Sequence, residues 1–169
     1  MKLIHGIALA GGIALAAPAL AAQTATASFV GANGEDHGSA TLTQTPSGVL
    51  IKATLKGLPA GEKGFHIHGV GECTPPFTSA GGHFNPEGKH HGLMSPEGPH
   101  AGDMPNIHIG TSGELTVEVL NTFVTLEEGK PNSLIGGQGT ALMIHAKHDD
   151  HASNPAGDAG ARIACAVIR

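Results

Sequence analysis

From residue 24 onward, apolar and polar positions alternate in short runs, and no run has the length or the 3.6-residue period of a helix. The alternation is clearest at Val49, Ile51, Ala53 and Leu55 against Lys52 and Thr54, and again at Leu115, Val117 and Val119 against Thr116 and Glu118. Successive side chains of a strand point to opposite faces, so each of these runs has one buried and one wet face. Strands are predicted over residues 25–31, 39–45, 48–56, 64–70, 105–110, 114–120, 140–146 and 162–168, with turn signals between them. Eight short antiparallel strands, with 26 glycines and 11 prolines to fill the connections, predict an all-β fold. The expected architecture is an eight-stranded Greek-key β-sandwich or flattened barrel, immunoglobulin-like in layout, with long loops. No internal repeat or linker divides it, and the polar stretch 149–160 reads as a long loop within one domain.

Residues 1–21 do not follow this pattern. Lys2 supplies a positive start, residues 3–15 are apolar and rich in Gly and Ala, and Ala19-Leu20-Ala21 is a small-residue cleavage motif, so the segment reads as a signal peptide and the mature domain as 22–169. The apolar stretch is short and interrupted by His5 and Pro18, which argues against a membrane span. No cysteine follows the cleavage motif, so no membrane anchor is expected. Without Lys2 the chain has eight basic against fourteen acidic residues, a net charge of −6 with neutral histidines, which argues against nucleic acid as a partner. An exported chain meets an oxidising compartment, so Cys73 and Cys165, its two cysteines, are expected to pair. The bond would tie the loop after His68 to the last strand.

The chemistry is concentrated in residues 64–103, which contain His66, His68, His83, His91, His100 and Asp103; His145 lies downstream. On a strand, His66 and His68 share one face while Ile67 takes the other. Between His83 and Asp103 so many Gly and Pro residues intervene that neither helix nor strand can continue. A structureless loop of about twenty residues needs an anchor, and a cation held by three histidines and an aspartate is sufficient. A lone histidine on a strand is more often a satisfied side chain than a ligand. Seven ligand-type residues arranged this way provide for two ions.

Several runs together closely resemble the Cu/Zn superoxide dismutases: Gly64-Phe65-His66-Ile67-His68-Gly69, Ser79-Ala80-Gly81-Gly82-His83-Phe84-Asn85-Pro86, His91, His100-Ala101-Gly102-Asp103, Ile144-His145 and Gly160-Ala161-Arg162-Ile163-Ala164-Cys165. The ten-residue step from Cys73 to His83 resembles the bacterial branch of that family. The resemblance implies copper at His66, His68, His83 and His145, and Zn2+ at His83, His91, His100 and Asp103, with His83 a bridging imidazolate. Ligand chemistry agrees: four imidazoles suit a redox copper, and three His with a carboxylate suit tetrahedral zinc. It further implies Arg162 as the residue that attracts and orients superoxide, Asp149 as a carboxylate joining the two metal sites, and a Cys73–Cys165 disulfide. The implied reaction is dismutation of superoxide to dioxygen and hydrogen peroxide, with His83 supplying a proton, in a periplasmic protein that protects the cell envelope.

Monomers and dimers both occur in the resembling family, so a homodimer is compatible with the sequence. The segment Asp149–Asp158 has no lysine, so steering would fall to Arg162 and to Lys63, Lys89 or Lys147. His37, His90, His108, His148 and His151 lie outside the motif and are assigned no site, although His90 competes with His91, and Asp150 with Asp149, for register. Two other function classes bind the same ions: a copper carrier or zinc buffer, and a zinc hydrolase. The closed three-His plus Asp set leaves a hydrolase no open position.

Overall fold

The computed structural model describes residues 22–169; the predicted signal peptide lies outside them. Among the described residues, nine strands run in the order β1 (Thr24–Val30), β2 (Asp36–Thr45), β3 (Gly48–Leu55), β4 (Gly61–Lys63), β5 (Phe65–His68), β6 (Ile107–Ile109), β7 (Leu115–Asn121), β8 (Ala141–His145) and β9 (Arg162–Val167). All eight predicted strands are present, most trimmed at their ends. The short β4 was not expected. A single 3-10 turn, Thr78–Ala80, is the only helical element among the described residues.

Seven strands form one curled antiparallel sheet in the order β5-β8-β9-β1-β2-β3-β7, while β4 pairs with β6. Only Gly64 separates β4 from β5, so one extended segment ladders with β6 through its first half and with β8 through its second. A tight turn, in which the Gly113 N–H donates to the Gly110 carbonyl at 3.0 Å, leads from β6 into β7. The predicted alternation holds on β3, where Val49, Ile51, Ala53 and Leu55 are buried and Lys52 and Thr54 exposed. The barrel interior is filled by Phe29, Leu42, Ile51, Leu55, Phe65, Ile67, Ile109, Leu142 and Ile144, among others. Each large side chain buried there contributes roughly 1.5 to 3 kcal/mol.

Two features position the site. A register shift between Ile144 and His145 brings His145 opposite Arg162, as a bulge does when it re-aims a side chain. A second apolar cluster, Phe77, Ala80, Ala141, Met143 and Cys165, with Cys73 packed against it, lies outside the barrel core. It seats the loop that follows β5. The expected disulfide joins Cys73 to Cys165, with their Cα atoms 5.7 Å apart.

Candidate metal centre

Odd positions of β5 enter the barrel core and even positions face the other way, so Phe65 and Ile67 are core residues while His66 and His68 begin the site. The loop between His83 and Asp103 is stitched to β5 at both ends. The Ile67 N–H donates to the Gly102 carbonyl at 2.9 Å, and the Phe84 N–H donates to the Ile67 carbonyl at 2.8 Å. Gly102 permits this approach, because a Cβ there would collide with the Ile67 carbonyl. Isolated bridges pair His66 with Asp103 and His68 with His83. A loop of low regularity thus delivers its ligands beside a rigid strand.

The sequence-predicted ligands form two groups, His66, His68, His83 and His145, and His83, His91, His100 and Asp103; within each group the ligand atoms lie within 4.8 Å of one another. Partners fix the tautomers. A carboxylate or carbonyl oxygen only accepts, so His66 donates from Nε2 to Asp149 Oδ2 at 2.7 Å, His68 from Nδ1 to the Gly81 carbonyl at 2.9 Å, and His145 from Nδ1 to the Gly160 carbonyl at 3.2 Å. The remaining nitrogens, His66 Nδ1, His68 Nε2 and His145 Nε2, are buried without a hydrogen-bond partner, as is His83 Nε2. Four convergent lone pairs with nothing to accept are costly for a buried polar cluster, and a cation satisfies all of them.

The second group is organised around Asp103. Its Oδ2 is taken by the backbone N–H groups of Gly92 at 2.9 Å and His100 at 3.0 Å. Its Oδ1 faces the Nδ1 atoms of His83, His91 and His100 at 2.8, 3.0 and 3.4 Å. His91 donates its other nitrogen, Nε2, to Asp149 Oδ1 at 3.0 Å. Asp149 therefore joins His66 of the first group to His91 of the second. Asp150 takes the loop-capping role, accepting from the Ala152 and Ser153 N–H groups at 2.9 and 2.8 Å.

Electrostatics keep three rings of the first group, His66, His68 and His145, uncharged. Burial pushes His66 down to about 4, against the pull of Asp149, and likewise His68 to about 2 and His145 to about 3. His91 differs: burial would lower it, but the Asp103 and Asp149 carboxylates outweigh that and raise it to about 9. Burial alone would raise Asp103 and Asp149, yet hydrogen bonds from His83 and His91 hold the former, and from His66 and His91 the latter, well below the carboxylate range.

Arg162 stands beside the first group, its Nη1 donating to the Phe77 carbonyl at 2.5 Å and its Nη2 to the Gly81 carbonyl at 2.6 Å. Of the candidate steering lysines, Lys63 is excluded: it is buried and donates to the Ala146 carbonyl at 3.0 Å. Lys89 is paired with Glu87 at 2.8 Å. Lys147 is exposed, with its stem against Gly160, where a Cβ would stand 3.3 Å from its Cγ. His90 points outward to Glu97 at 2.8 Å, leaving His91 as the inward residue. Sequence reasoning missed Asn106, which brackets Asp149 by donating to its carbonyl and accepting from its N–H, both at 2.8 Å. It also assigned His151 no place near the site. The Asn106 contacts span 43 positions and leave no local signature.

A family model described as copper/zinc superoxide dismutase matches residues 36–168. Over 172 residues, covering all of both chains, the sequence is 55% identical to "Superoxide dismutase [Cu-Zn] 2" of Aquifex aeolicus. Among solved structures it is similar to an SOD-like protein from Bacillus subtilis, with TM-score 0.81 and 36% identity over 84% of this chain and 96% of that one. The Cu/Zn superoxide dismutase from Brucella abortus aligns with TM-score 0.74 and 27% identity over 87% of this chain and 100% of that one.

Proposed function

The chain belongs to the copper/zinc superoxide dismutase family, and from that premise we propose which of its residues carry the reaction and where it operates. It is an oxidoreductase that converts superoxide to dioxygen and hydrogen peroxide, and copper and zinc are its metals. The observation that carries the assignment is the set of four buried, partnerless imidazole nitrogens that shares His83 with a second set built on Asp103. His66, His68, His83 and His145 hold copper, and His83, His91, His100 and Asp103 hold zinc. Bound copper supplies one-electron exchange with superoxide, while zinc is redox-silent and structural.

The protein's own groups do the rest. His83 is the ring shared by both sets, with Nδ1 toward Asp103 and Nε2 toward the other histidines; Nε2 is the atom at which a proton is held and released to form peroxide. Asp103 and Asp149 keep the rings in orientation throughout. Arg162 holds a fixed positive charge opposite His145, which draws in and orients the anion. The disulfide and the bacterial relatives support an exported protein; we assign it to the periplasm, protecting the envelope from superoxide. Cell fractionation tests that assignment, and a cytosolic pool alone would refute it.

The site assignment is tested by superoxide decay with copper plus zinc, with zinc alone, and with His145→Ala loaded with both. Fast decay confined to the copper-loaded wild type is expected. Decay no faster than free copper produces would instead indicate a metal carrier.

A further inference from the structure

His151 is a ring that the assigned chemistry does not use. It follows Asp149 by two residues and adopts a left-handed backbone, φ 60, a conformation in which histidine is enriched among the residues other than glycine. This turn folds the residue back over the carboxylate before it. The His151 N–H donates to Asp149 Oδ1 at 2.7 Å, and its ring Nδ1 stands 3.6 Å from Asp149 Oδ2. Asn106 Nδ2 donates to His151 Nε2 at 3.2 Å and also to the Asp149 carbonyl. An imidazole that accepts at Nε2 carries its proton on Nδ1 when neutral, so the ring turns an N–H toward Asp149. That Nδ1 is buried and has no hydrogen-bond partner at this distance, and Asp149 Oδ2 is the acceptor it faces.

Asp149 is thus surrounded by three imidazoles: His66 and His91 carry the two metal groups, and His151 carries neither. We propose that His151 is a positioning residue that clamps Asp149, through N–H to Oδ1 and ring to Oδ2, in the single orientation from which one carboxylate can orient His66 and His91 together. The inference rests on the ligand assignment above. Its signature is a joint effect on both metals from a residue that touches neither ligand set. Direct outer-shell partners of metal ligands are worth 10- to 100-fold in affinity; a ring one contact further out is expected to contribute about three- to tenfold.

The test uses His151→Gly, which keeps the left-handed backbone and its N–H but removes the ring, and His151→Asn, which tolerates the same φ and keeps a shorter donor. Metal-stripped wild type and variants are titrated with zinc alone, then with copper alone, against chromophoric chelators, and the copper-loaded forms are compared by electron paramagnetic resonance. In His151→Gly both affinities should fall by about three- to tenfold and the copper hyperfine splitting should shift, with His151→Asn intermediate. The proposal is overturned if both affinities stay within about twofold of wild type, a change a neutral surface substitution also gives. It is equally overturned if only the melting temperature of the metal-free protein moves, which marks a purely structural residue. Failure of wild type itself to bind both metals would refute the ligand assignment instead.

Discussion

Arg162 reaches across the site mouth to Phe77, with Nη1 2.5 Å from the Phe77 carbonyl and Nη2 2.6 Å from that of Gly81. The Gly81 carbonyl also receives His68 Nδ1, so one peptide oxygen fixes both the Arg162 guanidinium and the His68 ring. Two donors in a planar fork are needed to hold both carbonyls, which lysine does not have. Arg162→Lys should therefore lower kcat/KM, and Arg162→Leu should lower it by about tenfold or more, in line with the rate effect of a focused field. The salt dependence of kcat/KM should weaken in the leucine variant. An unchanged salt slope would show that the attracting charge lies elsewhere, with exposed Lys147 the next candidate.

The same loop depends on the disulfide. Cys73 and Cys165 are 92 residues apart, and closing a loop of that length removes about 4 to 5 kcal/mol of unfolded-chain entropy in the chain-entropy model. Cys165 also packs in the small cluster with Phe77 and Met143, so losing the bond loosens the peptide that receives Arg162. The paired Cys73→Ala and Cys165→Ala variant should unfold at clearly lower denaturant and lose activity even where it remains folded. Chemical denaturation and superoxide decay measured on one sample separate the two effects. Full activity in the folded variant would disconnect the disulfide from Arg162.

Much of this was legible because it is periodic or local. Val49 to Leu55 alternate through β3 as read, and His66 and His68 share a face because Ile67 is in the core. What was missed has no local signal. Gly61–Lys63 is too short to show a period, and it is a strand only because Ile107–Ile109 lies alongside it. The 105–110 segment is shortened to Ile107–Ile109; Pro105 lacks the N–H a ladder needs. Lys63 was a candidate steering charge and is buried with its amine on the Ala146 carbonyl. Asn106 meets Asp149 across 43 positions, a pairing that no motif spacing encodes.

Gly157 offers a test of the Asp149–His91 contact from a position that is itself no ligand. It is buried at φ +61, and a Cβ there would collide with Asp149 Oδ1 and stand 2.6 Å from His91 Nε2. Gly157→Ala must push the carboxylate off its two imidazoles. Zinc affinity, measured by chelator competition, should fall by about tenfold, the lower bound for disturbing an outer-shell partner, and copper affinity should fall with it. Zinc binding equal to wild type would mean that Asp149 does not orient His91.

The metal-free protein should be most stable near neutrality and weaken on either side, for reasons of opposite sign. His66, His68 and His145 titrate near 6.5 when unfolded but at about 4, 2 and 3 when folded. Between those values the unfolded chain binds more protons, so stability is lost as pH falls from about 6.5 toward 4. His91 works the other way: its folded value is raised to about 9, so its contribution is complete below 6.5 and disappears as pH rises through 9. Asp103 and Asp149, both lowered, contribute above about 3.8 and lose their effect only in stronger acid. The window from 6.5 to 4 therefore belongs to the buried histidines held below their ordinary value, His66, His68 and His145, with His100 lowered by burial beside them. Melting temperatures of metal-stripped protein across pH 4 to 10 should trace a dome with its acid limb in that window. A flat profile there would show that the three rings are already solvated and able to charge, so that burial does not hold them neutral before metal arrives.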